Sequence, residues 1–382
     1  MKENTTDMLF KILASAMEHK APEGATDAPA LTTEVLALAK AHDLGHIVAN
    51  YFLEEKILPE HEAQLQRMVF KALYRYEGQK FELERIRHLL EEKQIPFVPL
   101  KGALLRDYYP EPWYRTSCDI DILVKKEDVS RAKEAIIEAL GYEHHGDSTH
   151  DITLFSKGGV CLELHFDLQE SDFRTIELLD NIWEGDSLVA HSSFEYQMTN
   201  ELFLFYHIYH MAKHFVHGGS GIRTLLDLWL LKNKMQYDEE RLARLLSEGG
   251  LSAFAEPAMA LAEVWFGVAS HTALTEEMES YILASGVYGT QENRIAIAQS
   301  REGSKGKYVL SRIFPSYQHM TKLYPRLEKC AILLPWYYLV RAMRFVFKKE
   351  KAYALAELRQ NATVTDDKKT RLHTMCDALG LL

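Results

Sequence analysis

The chain has 382 residues, 47% hydrophobic and 26% charged, enough for two or three domains and a sizeable core. Fifty-five acidic against 44 basic residues leave a formal charge of −11. That excludes a general polyanion binder, because affinity for nucleic acid rests on Lys and Arg neutralising phosphates.

The four cysteines, Cys118, Cys161, Cys330 and Cys376, form no CxxC pair, which excludes a disulfide framework and a zinc knuckle and fits the reduced thiols of a cytoplasmic protein. The opening MKENTTDMLFKIL lacks the charged-then-apolar pattern of a signal peptide. Over residues 1–94 apolar side chains recur every three or four positions, in EVLALAKAHDLGHIVANYFLEE and LQRMVFKALYRYEGQKFELERIRHLLEEK, so this region is predicted helical. The segment APEGATDAPA is a loop by its Pro, Gly and Asp content.

Between residues 95 and 170 the period changes. IPFVPL predicts a short strand, followed by the pair Lys101-Gly102 and a short helix, ALLRDYY, stopped by Pro110 and Pro112. The next strand lies in RTSCDIDILV. KEDVSRAKEAIIEALGY then predicts an amphipathic helix ending at Gly141. DITLFSK and VCLELHFDL read as two strands of a hairpin turning at Gly158-Gly159.

From residue 171 to 382 the chain is expected to form a C-terminal helical domain. CAILLPWYYLV, Cys330 to Val340, is too short to span a bilayer and reads as the buried start of a helix, with PWYYLVRAMRFVF as core packing and snorkelling arginines. RAMRFVFKKEK, Arg341 to Lys351, is the one local basic patch, and no membrane partner is expected. The expected fold class is α+β, a small mixed-sheet core flanked by helical regions on both sides.

The chemistry starts from side-chain alternation. On a strand Ser117, Asp119, Asp121 and Leu123 share one face, while Cys118, Ile120, Ile122 and Val124 share the other, which reads as core. Two carboxylates about 6 Å apart repel by about 3 kcal/mol at an effective dielectric of about 20. A divalent cation offsets that repulsion, and Mg²⁺ takes one or two protein carboxylates together with phosphate oxygens. Upstream, Lys101 and Gly102 stand where a strand turns into a helix, so the backbone can approach a phosphate closely. Downstream, CLELHF puts Glu163 on one strand face with His165 and Asp167. A third carboxylate there can accept a proton from an attacking hydroxyl or help hold a second metal. Asp167 is expected outside the site.

VPLKGALLRDYYPEPWYRTSCDIDILVKKEDVSRAKEAIIEALGY followed by VCLELHFDL resembles the nucleotidyltransferase-fold superfamily of DNA polymerase β and the aminoglycoside and lincosamide nucleotidyltransferases. Within it the likeness is greatest to a bacterial subgroup of largely uncharacterised nucleotidyltransferases with an LKG … R…DIDLLV … ELH signature. It is strongest over residues 95–168, and HIYHMAKHFVHGGSGIRTLLDLWLL and LYPRLEKCAILLPWYYLVRAMRF are similar to the subgroup's helical part. The resemblance implies Asp119 and Asp121 as metal ligands, Glu163 as the third carboxylate, Gly102 facing a triphosphate and Arg115 neutralising phosphate charge. The implied reaction is Mg²⁺-dependent (or Mn²⁺-dependent) transfer of a nucleoside monophosphate from an NTP, with release of pyrophosphate. The acceptor is an unidentified small molecule, sugar or protein, and no nucleic acid is expected.

Nucleotide contacts are assigned to Lys101, Gly102, Arg115, His165, Lys213 and His214. His207, His210, His214 and His217 line one helix face among aromatic neighbours, with no interleaved glutamate, which reads as a packed helix rather than a zinc site. Arg223 and Asp227, four apart, read as an ion pair with each other. The superfamily's Gly-Ser or Gly-Gly is Gly102-Ala103 here, without a side-chain hydroxyl for phosphate. The alternative is therefore a non-catalytic nucleotide-binding protein that keeps the fold. A carboxylate-pair glycosidase leaves the Lys-Gly turn unexplained.

Overall fold

A computed structural model of the chain describes residues 5–18, 29–169, 176–287, 289–347 and 360–382. Backbone packing divides it into two units, Met1–Tyr209 with Ile222–Thr275, and His210–Gly221 with Glu276–Leu382.

The first unit opens with four helices, α1 (Thr5–Glu18), α2 (Pro29–Ala41), α3 (Gly45–Glu54) and the long α4 (Glu62–Glu92). Next come β1 (Phe97–Pro99), α5 (Gly102–Leu105), β2 (Asp119–Val124), α6 (Val129–Leu140), β3 (Glu143–Asp147), β4 (Asp151–Phe155) and β5 (Cys161–His165). The five strands form one sheet in the order β1-β2-β5-β4-β3. β2 pairs with β5 in parallel, and the other pairings are antiparallel, so the sheet is mixed as expected.

Alternation decides which face is covered. Ile120, Ile122 and Val124 of β2, Leu162 and Leu164 of β5, and Ile152 and Leu154 of β4 join a buried cluster with Ile86 and Leu90 of α4 and Ala132 and Ile136 of α6. Each such aliphatic side chain stabilises the unit by about 1.5–3 kcal/mol on burial. With α4 and α6 on that face, the opposite face is left to Asp119, Asp121, Glu163 and His165. Cys118 was expected among the core residues but is exposed. It precedes the first paired residue of β2, so no neighbouring strand extends the covered face to it.

Gly141 ends α6 in the left-handed region (φ +73°), its N–H bonded to Ile137 O. The sequence predicts that stop, since an L side chain there is strained. Gly141→Ala is expected to lower stability by about 1 kcal/mol, read from a urea unfolding curve.

Two strand features escape the periodicity. β3 carries the polar run EHHGD, and a separate hairpin is formed by β6 (Leu188–Ala190) and β7 (Tyr196–Met198), after the one-turn helix α7 (Glu177–Asp180). Strands of three residues are too short to display an alternation. The unit then adds α8 (Asn200–Val216, its last turns counted with the second unit), α9 (Ile222–Lys234), α10 (Glu239–Glu248) and α11 (Ser252–Phe266).

The second unit contains most of α12 (Ala273–Ser285), then α13 (Gln291–Glu302), α14 (Lys305–Ile313), α15 (Tyr317–Leu323), α16 (Arg326–Lys329), α17 (Leu334–Phe347) and α18 (Asp366–Ala378). α13 packs along α18. Against expectation, the aromatic stretch is not buried: Trp336, Leu339 and Met343 of α17 stand more than half exposed on one helix face. Apolar content alone does not say which neighbours a helix meets. Residues 348–351 of the basic patch lie outside the described residues. Among the described residues no helix is long and apolar enough to cross a membrane.

Candidate active site

The site grows out of one register. β2 and β5 run parallel with Asp121 opposite Glu163 and Leu123 opposite His165, and β4 places Asp151 opposite His165. In-register neighbours point to the same side of a sheet. Asp119, Asp121, Glu163, His165 and Asp151 therefore share the face that α4 and α6 leave uncovered.

Ligand atoms of Asp121, Glu163 and His165 come within 4.8 Å of one another. His165 Nε2 lies 2.9 Å from Asp121 Oδ1 and 3.6 Å from Glu163 Oε2. Lys101 Nζ stands 3.7 Å from Asp121 Oδ1. Asp119, at the first position of β2, does not join the trio. The two aspartates respond oppositely to this environment. Burial and the charges of Asp121 and Glu163 push Asp119 up to about 6. Burial would raise Asp121 too, but the Lys101 ammonium and the His165 hydrogen bond hold it well below the usual carboxylate range. Against the opposing effect of burial, the bonds to Asp121 and Glu163 bring His165 up to about 9. Lys101 likewise overcomes its burial through Asp121 and stays protonated. Two cations thus face a group of carboxylates, and opposed proton affinities on one surface mark a candidate site.

The turn before β2 sets Lys101. Leu100 N donates to Asp121 O (2.9 Å), and Lys101 takes φ +39°, ψ −110°, a conformation that costs a non-glycine residue about 1–3 kcal/mol. A Cβ at Gly102 would meet Ser117 Cβ at 3.2 Å, so a larger residue there would have to push the turn away from the chain that leads into β2. α5 is a single turn, and Ala103 N and Leu104 N already donate to Leu100 O and Lys101 O. Those two N–H groups are thereby satisfied within the turn. Beneath it, Arg106 donates to Gly102 O (2.9 Å) and Gln79 Oε1 (3.0 Å), and Gln79 Nε2 donates to Ser117 O (3.1 Å). These residues tie α4, α5 and the start of β2 together.

The model of a family described as "Uncharacterised nucleotidyltransferase" matches residues 29–267. The chain belongs to that family. No curated protein matches the sequence. One similar solved structure is the solution structure of the antibiotic-resistance factor ANT(2'')-Ia, at 15% identity, covering 45% of this chain and 91% of that one, with a TM-score of 0.34. An overlap at that level speaks to neither substrate nor mechanism.

The family's matched span includes further residues singled out in the sequence. Arg115 is buried, its Nε donating to Asp227 Oδ1 (2.8 Å) and Oδ2 (3.0 Å), and Tyr109 OH donates to the same carboxylate (2.7 Å). Its guanidinium is committed to a protein carboxylate rather than presented as a free phosphate fork, although its charge still opposes the rise at Asp119. The pairing expected between Arg223 and Asp227 does not form. Arg223 instead donates to Asp43 Oδ2 (2.9 Å) and Thr116 O (3.0 Å). Helix spacing allows an i,i+4 pair, but α9 turns these two side chains toward different neighbours.

His207 is buried with Nε2 2.9 Å from Thr224 O, as expected of a packed helix. Lys213 and His214 lie in the last turn of α8, in the second unit, where His214 Nε2 stands 3.0 Å from His210 Nε2. Sequence reasoning missed Ser148, His150 and Asp151. Their place beside His165 follows from the pairing of β4 with β5, which no local pattern shows.

Proposed function

We propose that this chain transfers a nucleoside monophosphate from an NTP to an acceptor hydroxyl or phosphate, with pyrophosphate leaving and a divalent metal required. The observation that carries the reading is the register of Asp121 against Glu163 on parallel strands, with Asp119 two residues away on the same face. The donor chemistry fits Mg²⁺, or Mn²⁺, because Asp119, Asp121 and Glu163 offer only oxygen. Lys101 and His165 supply the positive charge that such a set of carboxylates attracts. Held by Asp119 and Asp121, the ion would act as a Lewis acid on phosphate oxygens, with Glu163 left to take a proton.

The chain's own side chains divide the remaining work. Lys101 presents its ammonium beside Asp121, where a polyphosphate would gather negative charge. His165 holds Asp121 in place through Nε2. Glu163 has a side chain about one-third exposed and so accepts the proton of the acceptor O–H as that oxygen attacks the α-phosphorus and the bond to pyrophosphate breaks. Arg115 acts as a positioning residue, anchoring the chain before β2 to Asp227.

The test is incubation with α-labelled NTPs and Mg²⁺ or Mn²⁺ over a panel of small hydroxyl compounds, sugars and the protein itself, following pyrophosphate and label transfer. Chelation by EDTA is expected to stop the reaction, and Glu163→Gln to slow it by about 10²–10⁴-fold. Nucleotide binding with no pyrophosphate released across the panel would support the non-catalytic alternative.

A further inference from the structure

We infer that the same sheet face carries a second metal site, formed by His150, Asp151 and His165, that takes a transition-metal ion such as Zn²⁺. One ligand atom from each of these residues lies within 4.8 Å of the others. The backbone brings them together. Asp151 pairs in register with His165 across β4 and β5, and Phe166 N and Asp167 N both donate to His150 O (3.0 and 3.3 Å). Asp151 and His165 are buried and His150 is partly so, and the nucleotidyl-transfer reading gives no task to His150 or Asp151.

The donor set separates this site from the carboxylates beside it. Two imidazoles and one carboxylate suit Zn²⁺, whereas Mg²⁺ prefers an all-oxygen shell. Three protein ligands leave a fourth position of a tetrahedral ion open, the pattern of a working rather than a purely structural site. An outer shell is also in place. Ser148 Oγ donates to Asp151 Oδ2 (2.8 Å) and accepts from His150 N (3.2 Å) and Asp151 N (3.1 Å), and Asp121 holds the His165 ring. Such partners fix ligand orientation before an ion arrives. In the ion-free chain His150 Nε2 rests 2.9 Å from Asp151 Oδ2, a contact that the ion would replace, and binding would also release one proton from His165, the ion supplying positive charge in its place. The inference stands on these residues alone, whatever the outcome of the transfer assay.

The experiment titrates chelator-treated full-length protein with Zn²⁺ against a chromophoric chelator, and locates the ion by anomalous scattering at the zinc edge in a crystal of the unaltered chain. Tight Zn²⁺ binding is expected to be lost in His150→Ala and kept in Glu163→Gln and His210→Ala. Ser148→Ala is expected to weaken it by about 10–100-fold. The anomalous peak, which needs no variant to fold, is expected between His150, Asp151 and His165. Absence of tight binding, a peak elsewhere, or binding that survives His150→Ala but fails in Glu163→Gln would overturn the inference.

Discussion

Asp121→Asn is expected to reduce nucleotidyl transfer by at least about 10³-fold in kcat/KM, comparable to the loss of a principal electrostatic group in an enzyme site. Asp121 is where the candidate centre converges. It accepts from His165, faces Lys101 at 3.7 Å, and lies in register with Glu163. An amide in its place keeps the shape but removes the charge that both cations answer. Breaking a buried ion pair from one side costs about 3–5 kcal/mol, less where water reaches the survivor, and the Lys101 side chain is 20% exposed. Part of the effect will therefore be lost stability. Lys101→Met added to Asp121→Asn separates the two: the pair should recover thermal stability while pyrophosphate release stays absent. A fully active Asp121→Asn protein would sink the proposed centre.

The second large effect concerns Asp227, which has no exposed surface. It accepts from Arg115 and from Tyr109 OH, so one carboxylate anchors two points of the chain leading into β2. Asp227→Ala strands the Arg115 guanidinium in a buried site and is expected to cost about 3–5 kcal/mol in urea unfolding. Arg115→Met combined with Asp227→Leu should cost clearly less than the two single changes added together, because no charge is then left without a partner. Additive losses would mean that the two side chains do not act as a pair. Transfer activity should fall as well, since Asp119 begins four residues after Arg115.

Legibility followed distance along the chain. The alternation in DIDILV and CLELHF, the stop at Gly141 and the Gly158-Gly159 hairpin are local patterns, each written within a handful of residues, and the strands and helix appear where the patterns put them. The polar β3 was hidden because it covers no core and so needs no alternation. His150 and Asp151 were passed over because their relevance depends on lying beside His165.

By itself the amino-acid sequence determined the mixed α+β architecture and which face of β2 would carry its carboxylates, because strand period and helix period are short-range consequences of backbone geometry. Only tertiary structure decided the partners. Asp121 meets His165 across 44 residues, and Arg115 meets Asp227 rather than leaving it to Arg223 across 112. Those choices rest on strand register and on which helix packs over which loop. Such long-range contacts are selected by the burial of the whole unit, and no local pattern encodes them.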